Sequence, residues 1–359
     1  MKPRTKAISV RGTTAALAAA LFVMIAAFGS IGYAKANLTI NGAGATFPYP
    51  VYSAWAHKYK DLKGVALNYQ AIGSGGGIAQ IKAKTVNFGA SDAPLKKEEL
   101  DKIGLIQFPM VMGGVCPVVN IKGIEKGKLK LTPELLSKIL LGEIKSWNDE
   151  KIKKVNPGLS LPDQHIVVVH RSDGSGTNWI FTSYLSAISP AWKQKVGAGK
   201  SVAWPTGIGG KGNAGVSAFV QRTKGAIGYV EFAYALQNNL IYTQLQNKAG
   251  KFVQPTIETF KSAAAHADWK NAPGFYMVLV NQPGDDSWPI VGATYILVYK
   301  DQPDAAMAEN VLKFFSWCYD NGDEMAKKLL YIPMPKNVVD LVKAEWKSDV
   351  KSGGKPIWK

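Results

Sequence analysis

The chain has 359 residues, with 43 lysines and arginines against 26 acids and a formal charge of +17 at neutral pH. Its basic residues stand singly and in pairs rather than in runs, so the charge favours encounter with a small anion and no nucleic-acid partner is expected. The four histidines (His57, His165, His170 and His266) show no metal-ligand spacing and read as surface or satisfied core residues, so neither a metal nor a cofactor is expected.

The first 36 residues combine a basic start (Lys2, Arg4, Lys6, Arg11), an apolar run from about Ala15 to Ile31 and the small-x-small triplet Ala34-Lys35-Ala36. That pattern predicts a secretory signal peptide over 1–36, cleaved after Ala36. Its removal takes away five cations and no acid, so the rest of the chain stays basic. No cysteine precedes Cys116, which excludes a lipid anchor at this cleavage site. Nothing later approaches about 18 uninterrupted apolar residues, so the mature chain is expected to be soluble, and it is long enough for two lobes with a sizeable core. Cys116 and Cys318 are the only cysteines; one disulfide and two separate buried thiols are both compatible with export.

From Leu38 onward, short β-branched runs alternate with helical stripes, the signature of βαβ units. A strand over Leu38–Asn41 runs into the glycine turn Gly42–Pro48 and then a helix with Tyr52, Trp55 and Tyr59 on one face; Pro48 and Pro50 suit its first turn. A strand over Val65–Tyr69 leads into Gly73-Ser74-Gly75-Gly76-Gly77, after which Ile78 and Ile81 mark a second helix. Asn87–Asp92 reads as a short strand ending in a polar loop. Ligands of such sheets sit beyond the carboxyl ends of strands, which gathers Thr46, Ser74 and Asp92 along one edge.

A second alternating region begins near Leu131. Its strand Ile166–His170 feeds Arg171-Ser172-Asp173-Gly174-Ser175-Gly176-Thr177, a cation, hydroxyls and glycines within seven residues. Ile180 pairs with Tyr184 and Phe181 with Leu185 at helical spacing, placing Ser175–Thr177 at a helix start. There the first N–H groups lack intrahelical partners and the macrodipole is positive, which suits phosphate or sulfate. Gly207–Gly212 lacks the Ser/Thr of a nucleotide phosphate loop and reads as a structural loop. Strands are expected over Ile227–Val230 and Ile290–Tyr299, and a helix over Ala305–Tyr319.

Six stretches carry a family resemblance: GAGATFPYPVY (42–52), IGSGGG (72–77), FGASDAPL (88–95), RSDGSGT (171–177), WPTGIGGKGN (204–213) and GAIGYVEFAYA (225–235). Together they resemble the periplasmic phosphate-binding protein of the bacterial phosphate ABC transporter, in order over nearly the whole mature chain. The resemblance implies an α/β, two-lobed periplasmic binding protein clamp, each lobe a mostly parallel sheet flanked by helices. By analogy lobe I comprises 37–113 with 288–359, and lobe II comprises 114–287. It implies phosphate ligands at Thr46, Phe47, Ser74, Asp92, Arg171, Ser175, Gly176 and Thr177, with Asp173 holding Arg171 in place. It further implies a monomer in the periplasm that passes phosphate to transmembrane permease subunits driven by an ATPase, with no catalytic residue.

Two positions depart from the family: Gly75 stands where a serine is common, and Cys116-Pro117 replaces aliphatic residues in a strand near the lobe crossing, where proline cannot donate to a ladder and local pairing is open. An exported phosphate-ester hydrolase with Ser175 as nucleophile is the rival from another class, but Gly174-Ser175-Gly176 lacks the strand-to-helix elbow motif and no histidine falls in any of these motifs.

Overall fold

The computed structural model describes Met1, Pro3 and residues 38–359, so the expected signal peptide and its cleavage point lie outside the described residues. No described helix is long and apolar enough to cross a membrane.

One mixed, ten-stranded sheet organises the chain. At one end β1 (Thr39–Gly44), β2 (Ala66–Gln70) and β3 (Phe88–Ser91) run parallel in the order β2-β1-β3. β4 (Leu105–Val119) is buried along all 15 residues, and its near-continuous apolar run reflects cover on both faces. At the other end β5 (Val167–Arg171), β6 (Ile208–Gly210) and β7 (Ala226–Glu231) are parallel, with β5 in the middle. The short β8 (Ile241–Tyr242) pairs with β4. The long β9 (Val291–Tyr299) lies antiparallel between β3 and β4, and β10 (Ile332–Pro333) also adds to β4.

β4 changes partner part-way along: Leu105–Gly114 pair with β9, and Val115–Val119 with β7. Pro117 sits within that second ladder opposite Tyr229, and its carbonyl accepts from Thr243 N (3.2 Å), so the pairing left open by the missing N–H is unbroken. Cys116 in β4 and Cys318 are both buried and both free, which selects two thiols over a disulfide.

The helical stripes lie where the apolar spacing put them. α1 (Tyr49–Lys63) buries Tyr52, Trp55 and Tyr59 and stops at Gly64, which takes the left-handed conformation. α2 (Ser74–Lys82) buries Ile78 and Ile81, and α3 (Gly176–Ile188) buries Ile180, Phe181, Tyr184 and Leu185. The Gly207–Gly212 stretch is more than a connector: it supplies β6 and the first residue of α4 (Gly212–Arg222). α5 (Phe232–Gln237) follows β7 directly, and α6 (Ala305–Asn321) runs two residues beyond the expected end.

Trp55 ties α1 to the end of α6, because its indole N–H donates to the Gly322 carbonyl at 3.0 Å while the ring is buried. Trp55→Ala removes a large core ring and one of two bonds to that carbonyl, which still accepts from Ala326 N at 3.0 Å, a loss of about 3–5 kcal/mol. Denaturant titration of the ligand-free protein should show a lower midpoint for Trp55→Ala and a much smaller change for Trp55→Phe.

Candidate functional site

The carboxyl ends of β1, β3 and β5 and the starts of α2, α3 and α4 converge on one polar cluster. Ser74, first residue of α2, has an Oγ that accepts from two backbone amides, Asp92 N (3.1 Å) and Gly176 N (3.0 Å). A hydroxyl has one proton and two lone pairs, so Ser74 is left as a donor into the cluster. Ser175 caps α3, its Oγ accepting from Asn178 N at 3.0 Å. The Thr177 hydroxyl accepts from Asn213 Nδ2 (3.1 Å), and the Thr46 hydroxyl accepts from Asn213 Nδ2 (2.9 Å) and Asn213 N (3.2 Å).

Phe47 is placed by its peptide planes. Tyr234 on α5 donates to the Thr46 carbonyl (2.7 Å). Because that carbonyl shares a planar trans peptide with the Phe47 N–H, the bond fixes the N–H in the opposite direction. Tyr331 donates to the Phe47 carbonyl at 2.7 Å.

The charged groups are the most deeply sunk. The Arg171 side chain is 1% exposed, and its Nε and Nη2 donate to Asp173 Oδ1 and Oδ2 at 2.8 and 2.6 Å. This two-pronged pair orients the guanidinium, and Gly212 N also donates to Asp173 Oδ1 (3.0 Å). Burial alone would raise the Asp173 pKa, but the Arg171 bonds and charge and the Gly212 amide outweigh it and hold the carboxyl below its usual range. Asp92 is 1% exposed, and burial pushes its pKa up to about 7 against the opposing pull of the neighbouring Thr294 hydroxyl, Arg171 and Ser74. Besides the Thr294 hydroxyl next to Asp92, two buried polar atoms here have no protein partner, Arg171 Nη1 and Asp92 Oδ1. One is a cationic donor and the other a carboxylate acceptor, and burying either without a partner is costly.

Backbone proximity makes the cluster tight. A Cβ on Gly176 would lie 2.5 Å from Asp92 Cβ and 2.7 Å from Asp92 N, so only glycine allows the β3 and β5 loops this close. Gly75 donates to the Gly174 carbonyl at 2.7 Å, and a Cβ there would meet Gly174 Cα at 3.1 Å. The glycine that departs from the resemblance thus lets two loop backbones touch.

All eight sequence-derived ligand candidates and Asp173 fall in or directly against this cluster. The residues missed are Asn213, Tyr234, Tyr331 and Glu231. Asn213 and Glu231 lie in the stretches 204–213 and 225–235, whose glycines and apolar residues gave no polar periodicity to single them out.

Glu231 is fully buried at the end of β7. Its Oε1 and Oε2 each accept from Ala233 N (3.0 Å), and Oε2 lies 2.7 Å from the Tyr331 hydroxyl. That hydroxyl has one proton, and the Phe47 carbonyl can only accept it. The Tyr331–Glu231 contact therefore requires a proton on the carboxyl, and burial raises the Glu231 pKa to about 8 accordingly.

A family model described as a PBP superfamily domain matches residues 30–317. The phosphate-binding protein PstS of Xylella fastidiosa is 55% identical over 315 residues, covering 88% of this chain and 86% of its own. The chain belongs to the PstS phosphate-binding protein family. PstS of Haemophilus influenzae is 52% identical over 323 residues, covering 90% and 96% of the two chains. Among solved structures, the phosphate-binding protein from Stenotrophomonas maltophilia superposes with a TM-score of 0.68 at 19% identity, covering 89% of this chain and 97% of that one, a likeness of fold.

The raised carboxyl pKa values fix the sign of the pH dependence. Between the ordinary value of 4.5 and about 8, folded Glu231 keeps a proton that the unfolded chain has lost, so stability falls as pH rises. Asp92 adds the same trend from 3.8 to about 7. Each group contributes a slope of about 1.4 kcal/mol per pH unit inside its window. In phosphate-free buffer, Glu231→Gln, which mimics the protonated acid, should lose about one proton's worth of slope between pH 5 and 8 in denaturant titrations. An unchanged slope would show Glu231 ionised in the folded protein.

Proposed function

We propose that this protein is a periplasmic carrier that binds inorganic phosphate and hands it to the permease subunits and ATPase of a phosphate ABC transporter, without catalysis. The buried, unpartnered pair of Arg171 Nη1 and Asp92 Oδ1 carries the proposal, because one anion bearing a proton satisfies both. Hydrogen phosphate accepts from Arg171, from the hydroxyls of Thr46, Ser74, Ser175 and Thr177, and from the N–H groups of Phe47 and Thr177 by helix starts, while the Gly176 N–H, bonded to Ser74 Oγ, acts through that hydroxyl. It donates its remaining proton to Asp92. Sulfate has no proton to give, so the same carboxylate repels it. The relatives' printed names, phosphate-binding protein PstS, support the cargo.

Residues 37–113 with 288–359 form one lobe and 114–287 the other, with the chain crossing within β4 and again just before β9. Thr46, Phe47, Ser74 and Asp92 come from the first lobe and the Arg171–Thr177 loop from the second, so the anion stabilises the shut arrangement relative to an open one. Export through the expected signal peptide brings the carrier to the periplasm.

The hydrogen bonds around Ser175 support a carrier rather than a hydrolase. Ser175 Oγ is engaged as a helix cap, and His170, just ahead of the arginine motif, stacks on Trp204 with its Nδ1 3.1 Å from the Arg171 carbonyl. Among the described residues no base is hydrogen-bonded to Ser175 Oγ, whose partner is Asn178 N.

A site built around a ligand proton rejects an analogue lacking it by roughly 10⁴–10⁵. Calorimetry on dialysed protein at pH 8 should show Asp92→Asn weakening phosphate by less than about tenfold while strengthening sulfate by about a hundredfold or more. Unaltered phosphate-to-sulfate discrimination in that variant would contradict the role given to Asp92.

A further inference from the structure

We propose that Asn213 is a positioning residue that aims the hydroxyl protons of Thr46 and Thr177 at the bound anion; the inference rests on the phosphate-carrier function above. The argument is one of donor counting. Asn213 is fully buried at the start of α4, and its side chain makes three hydrogen bonds. Glu231 N donates to Asn213 Oδ1 at 3.0 Å. A backbone N–H can only donate, so the atom facing it is the amide oxygen and the orientation of the amide is fixed by chemistry. The NH₂ end therefore faces Thr46 and Thr177, and it spends one proton on each, at 2.9 and 3.1 Å.

Both threonine oxygens are thereby held as acceptors toward Asn213. Thr46 Oγ1 also receives Asn213 N at 3.2 Å, so both its lone pairs are engaged and its own proton must point elsewhere. Ser74 is polarised in the same way by the amides of Asp92 and Gly176. The chain thus leads from Glu231 N–H through the asparagine amide to two hydroxyls, each link fixed in direction by the one before it. Its product is a cage of hydrogen-bond donors around an anion, with Asp92 as the one acceptor. Asn213 also joins the two sides of the site, since Thr46 follows β1 while Thr177 and Asn213 open α3 and α4.

Substitution by aspartate and by alanine separates this role from a structural one. Asn213→Asp keeps the shape and the bond from Glu231 N–H, but offers an acceptor where the NH₂ stood. Both threonine protons then turn away from the anion. Asn213→Ala loses all three bonds yet leaves the hydroxyls able to rotate. Stability, read by thermal unfolding without phosphate, should rank wild type above Asn213→Asp above Asn213→Ala. Phosphate affinity, read by calorimetry at pH 8, should invert the two variants. Asn213→Asp should weaken binding by about a hundredfold or more, and Asn213→Ala by about tenfold.

The second arm repeats both substitutions in a Thr46→Val, Thr177→Val background, where there are no hydroxyls to aim. There Asn213→Asp should cost less than about tenfold and Asn213→Ala close to nothing. Equal costs in the two backgrounds would mean that Asn213 acts by packing or by charge alone and would overturn the inference. If Asn213→Asp does not fold, the alanine half of the cycle decides on the same criterion. Failure of the wild-type protein to bind phosphate would instead sink the carrier function itself.

Discussion

The structure turns on a charge balance that is unfavourable for an anion site at first count. Among the described residues Arg171 is the one cation at the centre, Asp173 takes two of its donor nitrogens, and Asp92 adds a second carboxylate beside it. With both acids ionised the three side chains sum to a negative charge. Full charges therefore set direction, and neutral dipoles do the holding: hydroxyls already polarised by amides, and backbone N–H groups just before α1 and at the start of α3. Such a site can grip an anion without a surplus of cations, and that favours release as much as capture.

Burial makes the arrangement selective. In water a carboxylate at the position of Asp92 would be ionised and screened; enclosed, its pKa moves to about 7, close to where orthophosphate itself changes protonation. Ligand and carboxyl then share one proton between oxygens of similar basicity. Asp173 lies near enough to feel the same burial but is driven the other way by Arg171 and the Gly212 amide. Two aspartates of one cluster thus do opposite tasks because their neighbours differ, one as a permanent counter-ion and the other as the group that counts protons.

Much of this was legible in the chain. The helices after Pro48, Gly73 and Gly174 follow from apolar spacing and glycine punctuation, and the rule that ligands gather beyond strand ends brought Thr46, Ser74 and Asp92 together. Strand ends were displaced by one to three residues, since β1 continues through Gly42 and Gly44 on its pairing with β3, where glycine signals a stop in sequence. The supporting residues were not legible. Asn213 follows a glycine-rich stretch that reads as a connector, and its importance lies in three bonds to residues 18 to 167 positions away. Glu231 sits in an apolar strand, where its proton is required by Tyr331, 100 residues later. Hydrogen-bond direction depends on partners brought by the fold, and no local pattern encodes it.

The central claim, that Asp92 admits an anion by the proton it carries, is tested most directly by the phosphate-to-sulfate affinity ratio of the unaltered protein between pH 6 and 9. Sulfate can be held only when Asp92 is itself protonated, so the ratio should rise by about tenfold per pH unit above about pH 7, the pKa at which the buried carboxyl ionises, and level off below it. A ratio constant across that range would mean that selection between the two anions does not pass through this carboxyl.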